Sequence, residues 1–391
     1  MATTGRFRQA RLSGSLVVGV ATLAACLVML LWSTADSARS ATSVPQGFTD
    51  SLVAQVTNPT TMAVAPDGRL FVAQKGGKLR VIKNGKLLSK PFLTVTTDSS
   101  VFRGLLGVAF DPNFSQNRYV YIFYTATSPT IHNRVSRFTA NGDVAVKGSE
   151  KPILELPTLS DASGHYGGAL RFGADNKLYV GVGDDTNPSD AQSLNTVNGK
   201  ILRINSDGTI PSDNPFYGSV SGGSRAIWAL GLRQPFSLDV RSGTGEMFVN
   251  EVGEDNWEEI DEVASGANYG WPIHEGYTAS SDPSLQNYSN PELYYAHGST
   301  AETGCSITGG AFYDPATGNW PSEYRDDYFY ADFCSGWIRN FDLGAKTSAA
   351  FATGIVKPVD LEVGENGSLY YLFRGSSSVP ASVREVRYVG N

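Results

Sequence analysis

The chain has 391 residues, 41% of them hydrophobic and 18% charged, with a formal net charge of −7. That mix excludes a disordered or fibrous chain. The body carries no Lys/Arg cluster, which argues against nucleic acid as a partner, because phosphates demand a basic footprint.

The first forty residues differ from the rest. Arg6, Arg8 and Arg11 precede an apolar run from Leu16 to Trp32, and small residues follow, ending in Asp36-Ser37-Ala38. This order of charge, apolar run and small residues predicts a secretory signal over residues 1–38, with cleavage after Ala38. Two other readings stay open. Leu23-Ala24-Ala25-Cys26 has the shape of a lipoprotein box, and the apolar run is nearly long enough to act as an uncleaved membrane anchor. Export leaves Cys305 and Cys334 as an even pair in an oxidising compartment, which predicts a disulfide. Two separate buried thiols are the alternative.

Six units follow, each an apolar strand, a turn and a second alternating strand. The first runs Met62 to Ala73 around Pro66-Asp67-Gly68. The second is Leu106 to Pro112 with Tyr119 to Tyr124, and the third is Gly168 to Val180 around Asp175-Asn176. The fourth is Phe236 to Val240 with Glu246 to Val249, and the fifth is Ile307 to Asp314 with Asp327 to Tyr330. The sixth is Val359 to Val363 with Asn366 to Leu372. Outer strands are legible at Lys78–Ile82 and Lys200–Ile204, and a last strand near Arg384 to Val389 is placed to close a ring beside the first. Repeated hairpins of this spacing predict an all-β fold, a six-bladed β-propeller of four-stranded antiparallel sheets, as one domain over residues 45–391. The irregular spacing leaves long rim loops, where a site is built.

Several segments then form a set. They are His165-Tyr166-Gly167-Gly168, running on to Gly183-Asp184; Gly231-Leu232-Arg233-Gln234-Pro235; Glu258-Glu259-Ile260-Asp261 before Asn268-Tyr269-Gly270-Trp271-Pro272; Gly104-Leu105-Leu106-Gly107; and Ser306-Ile307-Thr308-Gly309-Gly310. Over residues 45–391 this set resembles the glucose/sorbosone dehydrogenase family of soluble quinoprotein sugar dehydrogenases. The resemblance implies a propeller holding pyrroloquinoline quinone (PQQ) and calcium at its mouth, with a small-molecule sugar as substrate and an electron acceptor the sequence does not name.

The residues themselves suit that chemistry. Oxidising a hydroxyl needs a base titrating near neutrality, and His165 is the candidate. A hairpin brings Asp184 back towards it, where a carboxylate would fix the imidazole tautomer, a pair the family also uses. Arg233 would stabilise negative charge developing on the quinone. Gln234 stands where the family has Asn, one methylene shorter. The resemblance assigns Glu259 and the carbonyl of Tyr269 to a structural calcium and, more weakly, Gly253 and Glu254 to the cofactor's own calcium; these are oxygen donors, as that ion prefers.

Other positions depart from the pattern. Phe102 stands where the best-studied members have Gln, Cys334 lies near a family Lys, and Lys357 and Val359 replace two Arg. The quinone carries three carboxylates, so several cations are expected around it. Of the family's positions only Lys357 keeps one besides Arg233. A propeller that binds a glycan or protein at the same mouth without catalysis is therefore the competing reading. No Walker loop, dinucleotide fingerprint or Ser-His-Asp arrangement is present.

Overall fold

Short alternating strands joined by Asp-Gly, Asp-Asn and Asn-Gly turns fold the chain into six small antiparallel sheets set round an axis as a six-bladed β-propeller. The computed structural model describes residues 42–160, 164–278, 285 and 287–390, so the leader reading lies outside the described residues. Three turns share one geometry. Gly68, Asn176 and Gly367 take left-handed φ values of 78°, 58° and 74°. The side chain one residue earlier, Asp67, Asp175 or Asn366, accepts the backbone N–H two residues on. Asx-type bonding with a residue tolerant of positive φ is what this turn requires.

The blades follow the chain. Blade 1 has Pro59–Val64 innermost, then Leu70–Gln74 and Lys78–Lys83; blade 2 has Leu105–Phe110, Tyr119–Ala126 and His132–Asn141. Both differ from the expected four strands, because the outermost strand is broken in two: Lys86–Leu87 with Leu93–Thr94, and Val144–Ala145 with Lys151–Thr158. Blade 3 is Leu170–Phe172, Leu178–Val182, Lys200–Ile204 and Ile227–Leu230. Blade 4 is Pro235–Val240, Met247–Glu251, Trp257–Glu262 and Leu293–Ala296. Blade 5 is Ile307–Phe312, Tyr328–Asp332, Trp337–Asp342 and Thr347–Ala352. Blade 6 is Pro358–Val363, Leu369–Phe373 and Ser382–Tyr388, completed by Phe48–Gln55 from the start of the body. That last pairing closes the ring and is tied by Arg384 to Asp50 at 2.9 Å.

The core is six apolar seams, one between each pair of neighbouring blades. Strand side chains alternate in direction, so each second strand feeds two seams. Phe71 faces blade 2 while Val72 faces blade 6; Phe248 faces blade 5 while Val249 faces blade 3. Each such fully buried side chain contributes about 1.5–3 kcal/mol. At the axis the inner strands touch their neighbours on both sides. A Cβ on Gly107 would collide with the Gly168 carbonyl oxygen, and one on Gly309 with the Leu361 nitrogen, so only glycine permits this approach. No helix among the described residues is long and apolar enough to cross a membrane.

Candidate active site

In each antiparallel hairpin the start of the inner strand and the end of the second strand reach the same rim. On one rim the entering and leaving segments enclose a cavity of about 490 Å³ that continues down the axis. His165, Arg233 and Gln234 all line it, as do Phe102, Lys75 and Arg374.

His165 precedes the inner strand of blade 3 and takes a left-handed φ of 57°. Its carbonyl accepts the Asp185 N–H at 3.1 Å, and a Cβ on Gly183 would collide with that oxygen, so a glycine lets the turn close. The imidazole Nδ1 lies 2.7 Å from Asp184 Oδ1, nineteen residues on, as the hairpin reading expects. Asp184 is fully buried and also accepts the Thr186 N–H at 2.8 Å and the Trp271 indole N–H at 2.9 Å. A carboxylate only accepts, so the neutral ring carries its hydrogen on Nδ1 and turns the Nε2 lone pair outward. The ring is about a fifth exposed, at 21%.

Arg233 and Gln234 precede the inner strand of blade 4. Glu251 Oε1 fixes their loop by accepting both backbone N–H groups, at 2.6 and 2.7 Å. The Arg233 guanidinium donates to the carbonyls of Gly253 at 2.8 Å and Val252 at 3.3 Å, and lies 5.6 Å from the Trp271 ring centre. Trp271 thus contacts both Asp184 and Arg233. Gln234 uses its extra methylene to reach across to blade 3, where its carbonyl oxygen accepts the Gly167 N–H at 3.0 Å. The Gly253 carbonyl, assigned from sequence to the cofactor's calcium with Glu254, is engaged by Arg233. The Glu254 N–H donates to Glu275.

Below this turn, Glu251, Glu259 and Asp261 are buried together; Glu251 and Glu259 are register partners on adjacent strands. Burial pushes Glu259 up to about 8, with Glu275 and Glu258 adding to the shift. Burial, then Glu259 and Glu251, push Asp261 well above the carboxylate range, and burial does the same to Glu251. Both Asp261 oxygens and Glu251 Oε2 lack a donor among the described residues. No group of three or more His, Cys, Asp or Glu side chains among the described residues closes on one metal point. The donor chemistry nevertheless fits calcium: buried, oxygen-only and short of positive charge. Tyr269 is buried beside this cluster, its phenol pushed up by burial and then by the charge on Asp261.

One sequence reading is revised in detail. Lys357, expected at the cofactor, lies outside the cavity lining. A left-handed backbone at φ 60° sets it before the blade 6 strand, and its Nζ sits 5.8 Å from the Phe333 ring centre. Its backbone partner Arg374, which donates its N–H to the Lys357 carbonyl at 2.9 Å, lines the cavity instead. Lys75 does the same from blade 1. Both follow directly on the second strand of their blade, close to the place Asp184 holds in blade 3, so aligning the hairpins would have found them. Cys305 and Cys334 form a disulfide, Cα–Cα 5.7 Å, across the rim of blade 5. Asp332 braces it by accepting the N–H groups of Cys305, Ser306, Cys334 and Ser335.

The family model described as glucose/sorbosone dehydrogenase matches residues 56–378. Quinoprotein glucose dehydrogenase B of Acinetobacter calcoaceticus is 30% identical over 268 residues, covering 61% of this chain and 55% of its own length. The mouse Hedgehog-interacting protein is 29% identical over 208 residues, 45% of this chain and 29% of its own length. The chain thus spans somewhat more than half of the quinoprotein's length. A crystal structure of a putative oxidoreductase (glucose dehydrogenase) from Thermus thermophilus superposes with a TM-score of 0.75 at 25% identity, over 87% of this chain and 99% of that one.

Proposed function

Because the chain belongs to the glucose/sorbosone dehydrogenase family, we propose that it is an exported dehydrogenase that oxidises a hydroxyl of an aldose or polyol using PQQ and calcium. One observation carries the reading: His165, held at 2.7 Å by buried Asp184, and Arg233 line a single cavity. PQQ, when bound, supplies the carbonyl that accepts hydride from the sugar carbon.

This chain's residues do the rest. His165 Nε2 takes the hydroxyl proton, and Asp184 keeps the ring in the tautomer that can do so and stabilises the imidazolium. Arg233 offers fixed positive charge where oxygen charge grows. Gly167 and Gly168 line the cavity as bare backbone, and a Cβ on either would run into Gly181 or Leu106. Glu259, Asp261 and the Tyr269 carbonyl would hold a structural calcium. Gly253 and Glu254 would hold a second one, the Gly253 carbonyl with the lone pair that Arg233 does not use. Two electrons then leave to an unidentified acceptor outside the protein.

The test mixes purified mature protein with calcium and PQQ, then follows the visible spectrum and dye reduction over a panel of aldoses and polyols. Stoichiometric uptake with sugar-dependent dye reduction supports the enzyme. No uptake at micromolar quinone would favour the second reading, a non-catalytic propeller that binds a glycan or protein at its mouth. That reading draws on Val101 and Phe102, exposed at 56% and 61% beside the cavity, and on the relative named for its interaction with Hedgehog.

A further inference from the structure

Four cationic side chains line the cavity: Lys75, Arg171, Arg233 and Arg374. They are not in equivalent states. Arg171, in the inner strand of blade 3, is matched by Asp239 at 2.5 Å and Glu362 at 3.2 Å. Arg233 is turned onto two backbone carbonyls. Lys75 donates to the Val101 carbonyl and has no carboxylate in hydrogen-bond contact among the described residues. The Arg374 guanidinium has neither an ion pair nor a hydrogen bond among the described residues, although it is only partly exposed.

The last two belong together. Lys75 leaves blade 1 and Arg374 leaves blade 6, and these blades are neighbours in the ring. Each cation is disfavoured by burial, and Arg374 acts on Lys75 as a like charge close by. Met62, Val359 and Phe102 line the wall near them. Asp98, whose charge acts on Lys75, is paired with Arg103 at 3.0 Å, and Asp360 accepts the Met62 N–H and the Thr61 hydroxyl, so both nearby carboxylates are already engaged. A partly desolvated pair of cations facing a cavity is stabilised by an anion between or beside them. The location matters as well. Blades 1 and 6 lie across the mouth from blades 3 and 4, which carry His165 and Arg233. A planar molecule bridging the mouth would therefore put its reacting edge at His165 and Arg233 and its opposite edge at Lys75 and Arg374.

We propose that Lys75 and Arg374 form a carboxylate-binding subsite that grips the carboxylate edge of the tricarboxylic quinone, replacing from new positions the cations missing at Cys334 and Val359. This rests on the quinone-dehydrogenase reading. Guanidinium and carboxylate pair through two parallel N–H···O bonds, so Arg374 sets orientation as well as affinity.

The experiment is equilibrium dialysis of PQQ against calcium-loaded protein, with 9,10-phenanthrenequinone, which has no carboxylate, as a second probe and D-glucuronate as a third. R374Q and K75Q are each expected to weaken PQQ binding at least about tenfold. The double variant should weaken it further and flatten the dependence on salt. Phenanthrenequinone binding should not change in any variant, nor PQQ binding in K86Q on the outer surface. Thermal melts identify variants that fold; should R374Q fail, K75Q and R374K carry the comparison. If the parent protein binds PQQ and the folded variants bind it equally well, the subsite is wrong while the dehydrogenase reading stands. If the parent binds no PQQ, both fall. If glucuronate alone binds, and binding depends on Arg374, the carboxylate belongs to a sugar and the quinone assignment is overturned.

Discussion

The floor of the central channel and its mouth are built from the same residue types to opposite ends. At the floor, Arg171 meets Asp239 and Glu362, and Asp360 nearby accepts the Thr61 hydroxyl and the Met62 N–H, both at 2.7 Å. Carboxylates outnumber the one guanidinium there; burial pushes Asp360 up to about 6 and Glu362 to about 8. These bonds tie the inner strands of blades 1, 3, 4 and 6 together round the axis. At the mouth, Lys75, Arg233 and Arg374 face the cavity, and among the described residues none of them forms an ion pair with a carboxylate. Charge at the floor holds the fold, whereas the proposed role of charge at the mouth is to hold a ligand.

Substitutions can break that comparison, and the largest effect belongs to the floor. Arg171→Met leaves Asp239 and Glu362 without their cation and should cost about 3 kcal/mol in urea unfolding. A loss under about 1 kcal/mol would show the floor pairs to be dispensable. Next is the brace at the rim of blade 5. Replacing Cys305 and Cys334 by Ser opens a cross-link between residues 29 apart and should cost about 2–3 kcal/mol. The cost should be insensitive to PQQ, because neither cysteine lines the cavity.

The acidic cluster gives a smaller, pH-dependent effect. In the metal-free fold Glu259 keeps its proton up to about pH 8, against an ordinary value of 4.5. Its contribution is present in full below about 4.5 and is lost as the pH rises towards 8. Asp261 and Glu251 shift in the same direction. The metal-free Tm should therefore fall between about pH 5 and 8, and calcium should remove much of that fall by binding the ionised cluster. Asp261→Asn should weaken the calcium rescue. A rescue equal in parent and variant would exclude Asp261 as a ligand. Glu362 shifts the same way but is paired with Arg171, so its share should not respond to calcium. The smallest effect sharpens the comparison most. Arg374→Met removes a cation with no ion-pair partner among the described residues, so it should change stability by no more than about 0.5 kcal/mol, in contrast to Arg171→Met.

Much of this was legible in the sequence because it is local. Asp-Gly and Asn-Gly turns flanked by alternating apolar residues fix the hairpins, and a hairpin brings Asp184 back to His165 nineteen residues on. What stayed hidden depends on register between distant segments. Phe48–Gln55 fills the outer place in blade 6, yet its faces are mostly exposed or half-buried, so it carries no clean alternation. Trp271 reaches Asp184 across 87 residues. Lys75 and Arg374 come from opposite ends of the chain and meet only because the ring closes. Lys357 looked the better cation by position, but the kinked backbone before its strand sends it to Phe333 while its neighbour Arg374 faces inward.

The most direct measurement is single-turnover reduction of protein-bound PQQ on adding sugar, followed by stopped-flow absorbance in the parent and in His165→Ala. Quinone binding should be the same in both, with reduction slowed about 10²–10⁴-fold in the variant. Equal reduction rates in the two proteins, with quinone bound in each, would contradict the role given to His165 and the account built on it.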